Sequence, residues 1–348
     1  MDFSLSEEQK FLESSTRSLA ADLFGEPVAR AALDGDRTKA DHGWAALQAS
    51  GLTSLLIAEE HGGGGGTLLD ACIVATELSS ALAPVPYLTS AVAAPLLLGT
   101  VPAGDAAPLL EKLSAGLTCG VLVDRSLRWP AVSGELICLD WQPDRPGLFV
   151  DSGHAELVDD FEPATNVDPL HPVGKATGGL RASGDTQLSE DARRALAGVR
   201  VASAAALTGC LAGAAQLAWD YVAIREQYGS PIASFQAVRH MAADLLVDLE
   251  TCKSVSLGAA WQVENEDLVE AERVAAIAKA WCGQAAIRSV ETSIQLLGGI
   301  GVTWESTAHL YLRNAHMFAA SFGDTRTLLR GVGAEFVELR GRESHGPA

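Results

Sequence analysis

The alternation of apolar and polar positions divides the chain into three parts. Up to about residue 114 the apolar residues recur at helical spacing. In LSEEQKFLESSTRSLAADLF, Leu5, Leu12, Leu19 and Leu23 follow at steps of seven, seven and four, forming part of one helix face. Ser6, with Gln9 three residues on, forms a capping box for that helix. HGWAALQASGL and TLLDACIVATELSSALA read as further helices, Pro84 and Pro86 break the run, and YLTSAVAAPLLLGT and DAAPLLEKLSAG complete the region. The five glycines of EEHGGGGG predict a flexible inter-helix turn.

Between about 115 and 190 the pattern changes. TCGVLVD, ELICLDW, GLFVDSG and HAELVDDF are short apolar or alternating runs set between Gly, Pro and Asp, the signature of strands. The stretch that ends this part, ATGGLRASGDTQLSEDARR, is loop-rich. Helical spacing then returns over Glu190–Arg225, Phe235–Val263 and Leu268–Leu297, with shorter helices after Glu305 and Thr325. Ser234 is the expected N-cap of the second of these and Gly298-Gly299 the stop of the third. Several helices with short connections make a bundle. The expected division is 1–114, a helical N-terminal domain; 115–190, a reduced middle β domain; 191–342, a C-terminal four-helix bundle; and 343–348, a tail. The fold class is α+β and multidomain.

Charge narrows the partners. The 348 residues carry a net charge of -19, which argues against a nucleic-acid or anionic-membrane surface, since either needs clustered Lys and Arg. A phosphorylated cofactor needs only a few local donors and stays open. Six cysteines, Cys72, Cys119, Cys138, Cys210, Cys252 and Cys282, sit singly in apolar segments with no C-x-x-C spacing, as buried reduced thiols do. The opening MDFSLSEEQK has neither a basic n-region nor an apolar h-region, so a cytoplasmic protein is expected. Val201 to Trp219 is uncharged and long enough to span a bilayer, but it is mostly Ala, Gly, Ser and Thr with three Leu. It reads as a helix covered on every side, within a bundle or at a subunit interface.

Several familiar chemistries are absent from the sequence: no G-x-G-x-x-G after a strand, no P-loop, no G-x-S-x-G elbow. HGGGGGT lacks the Lys a phosphate loop needs. His309 and His316 share a helix face but lie about 10.5 Å apart in rise, too far for one metal ion, so no metal site is expected.

Two stretches stand out. In REQYGSPIASFQAVRHMAADL an Arg ends one helix, an aromatic-Gly-x-Pro loop follows, and an aromatic-Gln pair opens the next helix. A guanidinium fork at a helix end suits a phosphate oxygen pair, although spacing alone reads equally as an ordinary connection with a surface Arg. In QLLGGIGVTWESTAHLYLRNA a Gln stands one turn before paired glycines, where bare backbone can approach a ligand; a simple helix stop followed by a loop has the same pattern.

Together with MDFSLSEEQ and AEEHGGGGGTLLD, and in this order along most of the chain, these stretches resemble the acyl-CoA dehydrogenase family. The resemblance implies an α-helical domain, a β domain and a four-helix bundle, assembled as tetramers that hold FAD across a subunit interface. It implies cofactor-binding roles for Arg225 (pyrophosphate), Tyr228, Gln236, Gln295, Gly298 and Gly299. The family reaction is α,β-dehydrogenation of an acyl-CoA: a carboxylate removes the α-proton while hydride leaves the β-carbon for the flavin.

That carboxylate has two family positions. Aligning Thr325 in SFGDTRTLLRG puts Gly323 at one, and counting back from Arg225 puts Val199, beside Arg200, at the other. Neither accepts a proton. Asp324 is an alternative, displaced by one residue and a methylene shorter; Asp in a turn usually bonds its own backbone. The Thr-Glu-Pro and Gly-Ser-Asp stretches of flavin-binding members are missing between Gly116 and Asp191. The chain therefore resembles the short non-catalytic subunit of heteromeric (α2β2) actinobacterial steroid side-chain acyl-CoA dehydrogenases. The resemblance implies a longer catalytic partner that supplies the base and binds most of the acyl-CoA, FAD shared between the two, and a vacant half-site here with room for a bulky acyl group. The other readings are a self-sufficient homo-oligomeric dehydrogenase using Asp324, and a non-enzymatic interaction protein that keeps the fold.

Overall fold

A computed structural model describes residues 4–131, 135–151, 153–180 and 188–344, with side chains to residue 337. Residues 1–3 of the family-like opening, residues 181–187 of the loop-rich stretch, and residues 345–348 of the tail lie outside the described residues.

Six α-helices come first: α1 Glu7–Leu23, α2 Glu26–Leu33, α3 Thr38–Ala49, α4 Leu68–Ser80, α5 Ala94–Leu98 (preceded by a π-turn, Tyr87–Ala93) and α6 Ala103–Ser114. The capping box forms, with Ser6 and Gln9 each bonding the other's N–H. The glycine run is not the flexible turn its composition predicts. The N–H groups of Gly63, Gly64, Gly65 and Gly66 donate to the carbonyls of Ala58, Ser54, Ile57 and Leu55. A Cβ on Gly63 would stand 2.1 Å from the Ile57 carbonyl oxygen, so glycine here allows close packing of one backbone on another.

Six strands follow: β1 Gly120–Asp124, β2 Leu136–Leu139, β3 Gly147–Asp151, β4 His154–Val158, β5 Phe161–Ala164 and β6 Val173–Ala176. They form one sheet in the order β4-β3-β1-β2-β6-β5. β1 and β3 are parallel and the other neighbours antiparallel. Four of these strands match the expected runs. β5 and β6, with sequences FEPA and VGKA, carry too little β-branched or aromatic character to be read in advance.

The remaining helices are α7 Glu190–Ile224, α8 Gln236–Asn265, α9 Leu268–Leu297, α10 Ala308–Ala320 and α11 Thr325–Ser344. The expected cap Ser234 belongs instead to a 3-10 turn, Ile232–Ser234, and Phe235 stands at the N-cap without a side-chain bond. The Ser234 hydroxyl faces that of Ser230 at 3.1 Å, so it is engaged inside the loop and not at the helix end. Gly298, at φ +63°, stops α9 as expected.

α7 is the axis of the molecule, and 89% of its most apolar window is buried. It can be covered on every side because its residues are small. A Cβ on Gly209 would lie 2.2 Å from the Thr76 carbonyl oxygen, and one on Gly213 2.4 Å from that of Ser80, so α4 crosses α7 with backbones in near contact. The side chains of α1 to α4 and α7 to α10 form one core. A second core joins the sheet to α5, α6 and α7. All six cysteines are buried and unbridged.

Candidate functional site

The residues singled out by sequence fall at two places. Short connections make α7, α8 and α9 run antiparallel in succession. The end of α7, the start of α8 and the end of α9 therefore share one end of the bundle. Arg225 closes α7, its N–H donating to Tyr221 O and its carbonyl accepting Ile232 N–H at 2.7 Å. Glu226–Gln227 pairs with Ser230–Pro231 around a tight turn in which Tyr228 and Gly229 both have positive φ, +53° and +79°. Tyr228 is 95% exposed, its ring edge-on to Phe235 at 6.2 Å. Gln236 opens α8 and Gln295 lies in the last turn of α9, both exposed. A Cβ on Gly298 or Gly299 would meet nothing within 4 Å.

The donor set fits a diphosphate. Among the described residues Arg225 has no ion-pair partner, and it is exposed at the same end of the bundle as two amides and bare backbone. Ile224 beside Arg225, and Leu246 and Val247 further along α8, are at least half exposed, apolar surface that a monomer leaves in water.

The second place is the turn between α10 and α11. Gly323 is buried at φ +119°, and a Cβ there would stand 3.2 Å from Leu328 and 3.5 Å from an Arg200 nitrogen. Arg200 Nε donates to Phe322 O at 3.0 Å, and Lys279 Nζ donates to Phe318 O at 2.7 Å, Ala319 O at 3.1 Å and Gly323 O at 3.4 Å. Burial, helped by Arg200, pushes the Lys279 ammonium down to about 7. Val199 is wholly buried in the same core as Trp129, Met317 and Phe322.

Asp324 is exposed and caps α11: Oδ1 accepts Thr327 N–H at 3.1 Å and Oδ2 accepts the Thr327 hydroxyl at 2.6 Å. Those bonds to Thr327 lower its pKa, so the carboxylate is ionised and committed to the helix.

The space beside Gly323 is filled among the described residues. Phe322 is 1% exposed and its N–H donates to Leu127 O at 2.7 Å, from the turn that follows β1. The adjoining cavity, between Thr89, Asp140, His171, Met317, Phe318 and Phe322, measures about 10 Å³, room for one water.

Sequence reading missed the buried polar groups behind this turn. Asp140 accepts the Thr89 hydroxyl at 2.7 Å and holds His171 Nδ1 at 2.7 Å. Lone charges inside apolar runs, as in ICLDW and IAKAWC, were the available signal. Burial alone would lower the His171 pKa, but the Asp140 carboxylate outweighs it and raises it. A folded pKa above the unfolded one adds stability that is complete below the unfolded value and is lost as pH rises through the folded value. Thermal unfolding is therefore expected to show wild type losing stability on the alkaline side relative to His171→Gln. Parallel curves for the two proteins would contradict the pairing.

Comparison with known proteins identifies the family and the fold. The model of the acyl-CoA dehydrogenase C-terminal domain matches residues 190–336, and that of the N-terminal domain residues 6–101. Acyl-CoA dehydrogenase IpdE2 of Mycobacterium tuberculosis is 32% identical over 340 residues, 95% of this chain and 98% of that protein. Two solved structures share the fold: the ChsE4-ChsE5 complex from Mycobacterium tuberculosis (TM-score 0.78, 21% identity, all of both chains) and a Tcur3481-Tcur3483 steroid ACAD variant (TM-score 0.80, 21% identity, 97% of this chain and 100% of that one).

Proposed function

The chain belongs to the acyl-CoA dehydrogenase family, and from that premise we propose that it is the non-catalytic subunit of a flavin-dependent acyl-CoA dehydrogenase complex. Its partner is a longer, cytoplasmic catalytic chain, together with which it forms an α2β2 heterotetramer. The substrate is an acyl-CoA, with a bulky steroid side-chain thioester the preferred class, bound mainly by the partner.

The observation that carries this reading is the length of α7. Val199, one family base position, and Ile224, next to Arg225, are both in this helix, separated by about 38 Å of helical rise. That exceeds the length of an extended FAD. A flavin gripped by Arg225, Tyr228, Gln236, Gln295, Gly298 and Gly299 thus presents its ring to another chain. Arg225 would neutralise the pyrophosphate, the amides of Gln236 and Gln295 would donate to it and its surroundings, and Gly298 and Gly299 would let backbone close on the adenosine side. FAD, when bound, supplies the hydride acceptor. Gly323 and Val199 supply no base, and Asp324 is occupied in capping. The complexes among the similar structures, one described as a steroid enzyme, support the heteromeric assembly and the substrate class.

In the co-expressed complex, Arg225→Ala is expected to weaken FAD binding by about 1.5–3 kcal/mol, read by flavin release on dilution. Asp324→Asn, which caps a helix equally well, is expected to leave turnover unchanged. Unaltered flavin affinity in the Arg225 variant would end the shared-site reading.

A further inference from the structure

We propose that this chain carries its own seal over the family base positions: the turn from Asp124 to Trp129 is a latch that excludes flavin and acyl thioester from its own half-site. The inference rests on the family reading for what would otherwise enter there. Its evidence is the packing.

The latch is held from both sides. Asp124, 2% exposed, accepts the N–H groups of Ser126 at 2.7 Å and Arg128 at 3.1 Å through Oδ1, and Arg128 Nε at 3.1 Å through Oδ2. Trp129 is 5% exposed, and its indole N–H donates to Val150 O at 3.2 Å. On the opposite side the α10–α11 turn is fixed by Arg200 and Lys279 through its carbonyls. The two turns join at one bond, Phe322 N–H to Leu127 O.

Both residues at that joint are bulky and sit at positive φ, Leu127 at +56° and Phe322 at +60°. Apolar residues without a short polar side chain rarely adopt that region. Two of them, facing each other across one hydrogen bond, mark a contact that the surrounding structure enforces. The result is that Leu127, Trp129 and Phe322 pack with Val199 in a single core where a substrate α-carbon would have to face a base.

Accessibility of residue 199 tests this independently of flavin. In the full chain, Val199→Cys is to be treated with N-ethylmaleimide, with Ser50→Cys as exposed control and the six native cysteines as buried references. The expected result is labelling at least about 100-fold slower at 199 than at 50, as for a group reached only through local opening. Leu127→Gly keeps the left-handed backbone and removes the side chain; it and Phe322→Ala should each speed labelling at 199 about ten-fold or more, with melting curves confirming the fold. Rapid labelling of Val199→Cys in the otherwise unaltered chain would overturn the seal. Slow labelling that neither second substitution relieves would overturn the latch as its cause. Neither outcome depends on Arg225, so failure here and failure of the shared FAD site are separable.

Discussion

Lys279→Met is expected to destabilise the fold by about 3 kcal/mol, the loss read by denaturant unfolding. Lys279 is 1% exposed and, among the described residues, has no carboxylate within ion-pair distance; its three bonds go to main-chain carbonyls at the end of α10 and in the turn beyond. Such carbonyls have no partner within their own helix, and a buried one left unpaired costs free energy that an apolar side chain of equal length cannot return. The penalty should also grow with pH. The folded pKa, near 7, lies below the ordinary lysine value. Between those values the unfolded chain binds more protons, so wild type gains stability as pH rises. The methionine variant lacks that gain, and the gap between the two proteins should be wider at pH 9 than at pH 6. A gap independent of pH would mean that Lys279 titrates normally.

The second large effect reverses a familiar sign. Replacing a helical glycine by alanine ordinarily stabilises by about 0.5–1 kcal/mol, and that gain is expected at Gly258 in α8, where a Cβ meets nothing within 4 Å. At Gly209 in α7 the same change is expected to cost about 3 kcal/mol. The added carbon would stand 2.2 Å from the Thr76 carbonyl oxygen and 2.8 Å from Ser79 Cβ, so α4 must move away from α7. That retreat would strain the hydrogen bonds from the Thr76 hydroxyl to Ala205 O and from the Tyr311 hydroxyl to Ser80 O. Equal melting temperatures for the two variants would refute the close crossing.

These cases show which parts of the molecule a sequence discloses. Periodicity gave the three long helices α7, α8 and α9 within two residues, because a 3.6-residue repeat is local information, but α2, Glu26–Leu33, went unread and α3 starts four residues before the expected run. The burial of α7 was readable from its small side chains. Arg225, Tyr228 and Gln236 were legible as a group because one connection carries them, and Gln295 with Gly298 and Gly299 because one helix end does. What stayed hidden is long-range. Nothing local marks Leu127 as the partner of Phe322, or Lys279 as the cap of α10. Ser234 misled because its hydroxyl found Ser230 first. The glycine run misled because glycine is chosen both where backbone must move and where backbones must touch.

The backbone at Gly323 bears on history as well as on chemistry. At φ +119° only glycine is unstrained, and any carbon added there meets Leu328 and Arg200. A carboxylate therefore cannot be placed at this position by one substitution without disturbing the turn, the helix that follows it and the contact with Leu127. A lineage holding this conformation is separated from a carboxylate at this position by several simultaneous changes, each unfavourable alone. On the proposed reading, dependence on another subunit, once fixed in this way, is difficult for selection to reverse.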